Sequence, residues 1–341
     1  MNLPATLNKL LQREDLSQPQ MQALMRALMQ GEATDAQIGA ILVALRMKGE
    51  TPQEIAAAAQ VMRELAEKVP VGSTEHLVDT CGTGGDGAST FNISTAVAFV
   101  AAAGGAKVAK HGNRSVSSST GSADVLEAAG VNLNLTPAQV AECVETLGVG
   151  FMFAPRHHSA MKHVVGPRKE LGVRTIFNLL GPLTNPAGAP NQVLGVYDEA
   201  LCDVFTQVLD SLGSRHVMVV HADDGLDEIS IASPTRVSEL KNGQIKPWWI
   251  DPADFDAAHD SLAPLKVSNA QQSLQMIRSA FAGEPGPHSD IIALNAGAAL
   301  YVAGIDDSFA EGVAHARQLL ASGAAQEKLD AFVAMTQEYG T

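Results

Sequence analysis

Apolar positions over the first seventy residues recur at the spacing of helix turns. Ile38, Ile41, Leu42 and Leu45 form one stripe of a helix, the i, i+3, i+4, i+7 pattern that one apolar face requires. Three capping boxes punctuate this region, Ser17-Gln18-Pro19-Gln20, Thr34-Asp35-Ala36-Gln37 and Thr51-Pro52-Gln53-Glu54. In each, a hydroxyl and a Glu or Gln three residues on satisfy the helix's first amides reciprocally. Pro19 and Pro52 suit a first turn, where a missing N–H costs nothing. Residues 1–70 therefore predict helices only, their apolar face meeting a neighbouring helix or a second subunit.

Near Val69-Pro70-Val71-Gly72 the period changes. Strand-like runs at Leu77–Cys81, Ala106–Lys110, Gly150–Ala154, Gln192–Tyr197, His216–His221 and Glu228–Ala232 alternate with helical ones at Ile93–Ala103, Ala123–Ala129, Ala138–Leu147 and Glu199–Leu212. Such alternation builds an α/β domain on a mostly parallel sheet. Lys241-Asn242-Gly243-Gln244 reads as a hairpin turn, its Asn-Gly suited to positive φ. From Ser268 onward the pattern is mostly helical. The expected fold class is α/β, a small N-terminal all-helical domain plus a large α/β domain whose central sheet is flanked by helices.

Composition narrows the function. No apolar run reaches the roughly 18–20 residues that span a bilayer, and Met1–Lys9 lacks the pattern of a signal peptide. Three scattered cysteines, Cys81, Cys143 and Cys202, argue against a disulfide framework or a zinc site, so a reduced, cytoplasmic setting is expected. A net charge of −14 opposes a broad nucleic-acid or anionic-membrane surface. It leaves room for a small phosphorylated ligand held by backbone amides, one or two basic side chains and a metal.

Three segments carry candidate chemistry. The first, Asp79-Thr-Cys-Gly82-Thr-Gly-Gly-Asp86-Gly-Ala-Ser-Thr90-Phe-Asn92-Ile93-Ser94-Thr95, joins a strand to a helix. Its glycines let the backbone turn sharply and approach a ligand, and the following helix start favours an anion. A Gly-rich turn before an ordinary cap is the bland alternative, which explains the glycines but not the run of Thr, Asp, Asn and Ser. The second is Lys110-His111-Gly112-Asn113-Arg114-Ser115-Val116-Ser117-Ser118-Ser119-Thr120-Gly121-Ser122, after the next strand. Loops at strand C-termini face the ligand crevice of an open α/β sheet, and two cations among hydroxyls resemble an anion clamp. The third, His221-Ala-Asp223-Asp224-Gly-Leu-Asp227-Glu228, brings four carboxylates together. Mg²⁺ favours such oxygens, yet a solvated acidic turn explains them equally well, and the residues alone do not separate the two.

In their order and spacing, Gly82-Thr-Gly-Gly-Asp86, Asn92-Ile-Ser-Thr95, Lys110-His-Gly-Asn-Arg114, Asp227-Glu228 and the stretch Arg174-Thr-Ile-Phe-Asn-Leu-Leu-Gly-Pro-Leu-Thr-Asn-Pro186 resemble the anthranilate phosphoribosyltransferase family, over essentially the whole chain. The resemblance implies a helical domain of residues 1–70 completed by about 165–190, a catalytic domain of 71–341, and a homodimer built through the helical domains. It implies that Gly82, Gly85, Asp86, Thr90, Asn92, Ile93, Ser94, Thr95 and the Lys110–Ser118 loop with Ser122 bind 5-phosphoribosyl 1-diphosphate. Ser94, Asp227 and Glu228 would hold Mg²⁺, two ions per subunit. Gly82, Asn113 and Arg168 would bind anthranilate, with His111 and His158 lining its approach. Arg156 and Gly166-Pro167 vary within the family's pattern near that approach.

The implied reaction breaks the C1–O bond to diphosphate while the anthranilate amine attacks C1. An aromatic amine is neutral at pH 7, so no residue is assigned as general base and Lys110 is given an electrostatic role. Two rivals differ in particulars. A pyrimidine nucleoside phosphorylase shares the resemblance in fold, but its phosphate loop reads differently from Lys110–Arg114 and its substrate needs no Mg²⁺ pair at Asp227-Glu228. A silent, nucleic-acid-binding relative would lose the Gly82–Asp86 loop or the acidic pair and carry basic surface, and this chain does neither.

Overall fold

The computed structural model describes residues 1–115 and 120–340. Four helices open the chain: α1 (Leu3–Leu11), α2 (Gln18–Met29), α3 (Asp35–Lys48) and α4 (Pro52–Leu65). The three capping boxes start α2, α3 and α4 as the sequence predicts, with Ser17, Thr34 and Thr51 as N-caps. Glu54 does more than close its box. It is buried, and it also accepts from Leu16 N (2.9 Å) and from the Lys48 ammonium (2.7 Å), which ties α3 and the α1–α2 link to α4.

The alternating region follows as β1 (Leu77–Gly82), α5 (Ile93–Ala103), β2 (Lys107–Gly112), α6 (Ser122–Ala129), α7 (Pro137–Leu147), β3 (Val149–Phe153), α8 (Ala154–His157), α9 (Lys162–Leu171), α10 (Ile176–Leu180), β4 (Asn191–Gly195), α11 (Leu201–Ser211), β5 (His216–Ala222), β6 (Thr235–Lys241) and β7 (Gln244–Ile250). Helices α12 (Ala270–Phe281), α13 (Pro287–Val302), α14 (Phe309–Ser322) and α15 (Ala324–Glu338) complete it. Among the described residues no helix is long and apolar enough to cross a membrane.

The strands form one sheet in the order β3-β2-β1-β4-β5-β6-β7. The first five run parallel, β6 is antiparallel to both its neighbours, and β7 again follows the direction of the first five. The hairpin falls where Asn-Gly predicts it, with φ of 54° at Asn242 and 71° at Gly243. The chain adds β2 and β3 on one side of β1 and then returns to place β4 on the other. Strand order therefore reverses between β1 and β4, and the crevice beyond their carboxyl ends is where such sheets take ligands.

Alternation along β5 divides the core. Met218 and Val220 join the layer of α5 and α12–α15, whereas Val217 and Val219 pack with α11 and the N-terminal helices. Helices α9 and α10 belong with this second layer: Val164, Ile176, Phe177 and Leu180 share its cluster with Leu24, Leu42 and Ile55.

One expected strand is absent. Residues 228–232 carry no ladder, because the Asn295 side chain from α13 takes Ile229's backbone on both sides, accepting from its N–H and donating to its carbonyl at 2.9 Å each. Ser230 N–H goes to the Thr235 hydroxyl at 3.0 Å. Ile229 and Ile231 are buried, so the apolar alternation is real. Side-chain groups replace the neighbouring strand.

Candidate active site

The crevice is built first by glycine. Gly82 ends β1 opposite Gly195 at the end of β4. A β-carbon on Gly82 would stand 2.5 Å from the Asp227 carboxylate, and one on Gly195 would overlap the Asp227 backbone. The absence of side chains at these two strand ends lets the loop after β5 fold over the switch point. Asp227 Oδ2 then accepts the Gly84 amide at 2.7 Å. The glycine loop leaves β1 with positive φ at Gly84, Gly85 and Gly87 and also at Ser89 (54°), a region where glycine carries no steric penalty. Thr83 N–H donates to Gly195 O (2.9 Å), and its hydroxyl accepts from Tyr197 N–H (3.1 Å). Asp86 accepts from Ala88 N–H (3.1 Å), and Thr90 forms an isolated bridge with Lys266.

Helix α5 begins beside this loop. Its N-cap Asn92 makes no capping bond with its own side chain. Its Oδ1 instead accepts from the buried Ser273 hydroxyl (2.7 Å), and its Nδ2 donates to Thr120 O (3.3 Å). Ile93 is buried, and among the described residues the buried Thr95 hydroxyl has no hydrogen-bond partner. The Asn92 and Ile93 amides are engaged, donating to Ser273 Oγ (3.0 Å) and Phe91 O (2.8 Å), so an anion at this helix start would meet the later amides of the first turn.

Lys110, only 3% exposed, reaches into the same place from β2. Its ammonium donates to Thr80 O and, at 3.1 Å, to Ser94 Oγ. Burial pulls its pKa down, while Asp79, Cys81 and Glu228 oppose that shift. Asp79 is 1% exposed and accepts from Asn185 Nδ2 (2.7 Å) and His111 N–H (3.3 Å). Burial raises its pKa against the pull of Lys110. Across the crevice, Asp227 is pushed up to about 7 by burial and then by Asp86, and Glu228 to about 8 by burial and then by Asp227, with Lys110 opposing. One buried ammonium beside several crowded carboxylates leaves negative charge uncompensated, and a divalent cation fits that deficit. Among the described residues no three His, Cys, Asp or Glu side chains form a metal cage. Mg²⁺ does not require one, since it keeps waters and takes substrate phosphate oxygens.

The acidic segment divides into two parts. Asp223 and Asp224 are exposed, and Asp224 shapes the turn by accepting from Leu226 N–H (3.1 Å) and Ser230 Oγ (2.5 Å). Asp227 and Glu228 face the glycine loop. The segment thus splits into an exposed turn and an inward-facing pair.

The loop after β2 is tied at both ends by Asp124, whose Oδ2 accepts from Ser115 N–H (3.0 Å) and Gly121 N–H (2.8 Å). Gly112 lies where a β-carbon would overlap the Ser122 hydroxyl, and that hydroxyl donates to Asn113 O (3.4 Å). Asn113 Oδ1 accepts from Arg114 N–H at 2.7 Å. Arg114's guanidinium turns away from the crevice, pairing with Glu127 at 2.5 Å and lying 5.0 Å over the Phe153 ring. Val116, Ser117 and Ser118 lie outside the described residues.

The residues expected to serve the acceptor fall in two places. His111 and His158 meet edge to face, ring centroids 5.1 Å apart, and among the described residues His111 Nε2 and both His158 nitrogens are buried with no well-formed hydrogen bond. Burial, and then the neighbouring imidazoles, lower His111 to about 3 and His158 to about 4, so both rings are neutral. Arg168 sits on α9, 5.1 Å over the Phe177 ring. Among the described residues no carboxylate pairs with it.

Sequence reasoning missed Asp79, Asn185, Ser273, Asp124 and Arg174. Asp79 carried a usable signal, a carboxylate inside an apolar strand start. Asn185 bridges β1 and β2, donating to Asp79 and to Ala109 O (2.8 Å), and stands in a polar stretch quoted without a role. Ser273 and Asp124 lie on helices whose sequence says nothing of the crevice.

Residues 74–326 match the glycosyl transferase family, a/b domain, and residues 4–66 its helical bundle domain. Anthranilate phosphoribosyltransferase of Hydrogenovibrio crunogenus is 62% identical over 339 residues, which are 99% of this chain and 100% of that protein. The crystal structure of anthranilate phosphoribosyltransferase from Thermus thermophilus superposes with a TM-score of 0.92 at 44% identity, covering 99% of this chain and 100% of that one. The Saccharomyces cerevisiae enzyme in complex with PRPP and Mg superposes with a TM-score of 0.88 at 26% identity, covering 98% of each chain.

Proposed function

This chain belongs to the anthranilate phosphoribosyltransferase family, and from that premise we propose how its crevice carries out the transfer. The enzyme moves the phosphoribosyl group of 5-phosphoribosyl 1-diphosphate to the amine of anthranilate, giving N-(5-phosphoribosyl)anthranilate and diphosphate, a step of tryptophan biosynthesis. One observation carries the reading: a buried ammonium and two crowded carboxylates meet a positive-φ glycine loop and a helix start at the sheet's switch point.

The donor's diphosphate lies along Gly82, Gly85 and Asp86 and the first turn of α5, with Thr90, Asn92, Ile93, Ser94, Thr95 and Ser122 around it. Asp227, Glu228 and the Ser94 hydroxyl hold Mg²⁺, in two sites per subunit. When bound, Mg²⁺ neutralises diphosphate charge and supports its departure as an oxyanion. Lys110 supplies fixed positive charge from within the sheet, where a preorganised cation needs no rearrangement as charge develops. Ser94 Oγ already accepts from Lys110, and its second lone pair is available to the metal.

At the acceptor side Arg168 pairs with the anthranilate carboxylate, to which its planar fork is matched, and Asn113 orients the amine. His111 and His158 line the approach as neutral rings, which present apolar faces to an aromatic substrate and add no positive charge beside its amine. The nitrogen lone pair attacks C1 while the C1–O bond to diphosphate breaks. The amine then sheds its proton to water. Positioning and electrostatics supply the catalysis.

Residues 165–190 complete the helical domain, supported by the packing of Phe177 and Leu180 with α2–α4. The chain works as a cytoplasmic homodimer through these helices. The outward apolar side chains Met47, Val165 and Val173 on this layer support that assembly. Assay with each of anthranilate, 5-phosphoribosyl 1-diphosphate and Mg²⁺ omitted in turn tests the function. Loss of product in all three omissions is expected, and transfer of ribosyl from a pyrimidine nucleoside to phosphate would favour the phosphorylase reading.

A further inference from the structure

Three consecutive residues of the glycine loop are tied down, each by a different part of the molecule. Thr83 is bound by the end of β4 and Gly84 by Asp227. Gly85 is held by the Arg174 guanidinium, whose Nη2 donates to Gly85 O at 2.6 Å. Arg174 belongs to the short link between α9 and α10, in the helical layer and not in the sheet. Its guanidinium stacks 3.8 Å over the Tyr197 ring, and Tyr197 N–H is itself bonded to Thr83. Its backbone carbonyl accepts from Arg46 Nη1 of α3 at 2.9 Å. A β-carbon on Gly85 would stand 2.5 Å from the same Nη2, so the glycine is required by this contact as well as by its φ of 83°.

A loop with positive φ at Gly84, Gly85 and Gly87 has wide backbone freedom when nothing restrains it. The two sheet-side ties fix its entrance. The Arg174 tie reaches the loop at Gly85 from the other side, from the layer that also carries Arg168 six residues earlier in the chain. Stacking on one face and donating at the edge is a geometry specific to guanidinium; an ammonium cannot reproduce it.

We propose that Arg174 is a positioning residue that latches the glycine loop in the form that receives the donor's diphosphate, making donor affinity depend on the helical layer. The inference rests on the assignment of that loop to the donor.

Four measurements on the full-length chain test it: steady-state kinetics, calorimetric binding of inorganic diphosphate with Mg²⁺, thermal melting, and amide exchange of residues 83–88. In Arg174→Ala, loss of a charge-assisted hydrogen bond should raise donor KM and diphosphate Kd by about 10-fold or more. Exchange of 83–88 should speed up, while anthranilate KM and kcat move much less. Arg174→Lys should restore little of this. Tyr197→Leu, which removes the stacking and leaves the hydrogen bond, should fall between Arg174→Ala and the wild type. Unchanged exchange and unchanged donor KM in Arg174→Ala would overturn the latch. So would a loss spread evenly over donor, acceptor and melting temperature, because that describes a merely structural residue. If loop exchange rises but the wild type binds no diphosphate, the latch stands and the assignment of the loop to the donor falls.

Discussion

The proposed donor crevice and the proposed acceptor segment are built on opposite plans. At the donor side the charged groups are already engaged: Lys110 bonds Thr80 and Ser94, Asp79 bonds Asn185, and Asp227 bonds Gly84. Asp79 and Lys110 stand on strands that the sheet holds in register. At the proposed acceptor side, Arg168 and the two histidines stand with few polar partners among the described residues. His158 has two idle ring nitrogens, His111 has one, and Arg168 has an aromatic ring beneath it and no anion. Prepaid order suits a polyanion whose charge must be met at once. Unpaired groups suit a small aromatic acid that supplies the missing partners itself, and a ligand lacking them leaves buried polar groups unsatisfied. The first site is thus expected to lose rate and stability together when cut, the second to lose recognition alone.

Four outcomes would break or sharpen that contrast. The largest is expected of Asp227→Asn with Glu228→Gln. Removing the charge proposed to hold Mg²⁺ should lower kcat/KM by about 1,000-fold, since Lewis-acid stabilisation supplies several kcal/mol. A Mg²⁺ titration of turnover checks it, and wild-type activity in the double variant returns the pair to the role of an acidic turn. Next, Lys110→Met keeps the volume and removes a buried cation, the kind of change that costs about 3–5 kcal/mol when the partner charges remain. Both a lower melting temperature and a donor KM raised more than the anthranilate KM should follow. Kinetic constants indistinguishable from wild type would contradict the electrostatic role.

Arg168→Ala should raise anthranilate KM by about 10- to 150-fold, the value of one charged hydrogen-bonded pair, and leave donor KM and melting nearly unchanged. Aniline sharpens the comparison, because it lacks the carboxylate. An Arg168 variant that still prefers anthranilate as strongly as the wild type shows that another residue reads the carboxylate.

The smallest effect concerns pH. Asp227 and Glu228 have folded pKa values near 7 and 8, above an unfolded value of roughly 4. A raised acid binds its proton more tightly when folded, so its stabilising contribution is present below the unfolded pKa and is lost as pH rises through the folded one. Between about pH 5 and 8 the metal-free wild type should lose melting temperature relative to the Asn/Gln double variant, and added Mg²⁺ should restore it. The histidines have the opposite sign. Their folded values of about 3 and 4 lie below the unfolded one, so they destabilise the fold as pH falls from about 6.5. Replacing both with Phe should flatten the acid limb of melting. An identical pH profile in either variant would mean that these groups are better solvated than their burial indicates.

Much of this architecture is legible in the order of the amino acids. The capping boxes at Ser17, Thr34 and Thr51 fix helix starts through contacts three residues apart, and Asn242-Gly243 fixes its turn through backbone sterics. Such effects are local, so a local pattern reports them. The expected strand at Glu228–Ala232 failed for the complementary reason. Its apolar alternation marked burial correctly, but whether a buried backbone pairs with a strand or with a side chain depended on Asn295, which lies far along the chain.

The site divides along the same line. Composition and spacing placed the glycine loop, Lys110 and the carboxylates at strand ends, because strand–loop–helix order alone points those loops to one edge of a parallel sheet. Only the tertiary structure decided which of four carboxylates turn inward, that Arg114 is engaged with Glu127, and that Arg174 crosses from the helical layer to Gly85. Each of these is a contest between partners distant in sequence, settled by packing geometry and desolvation.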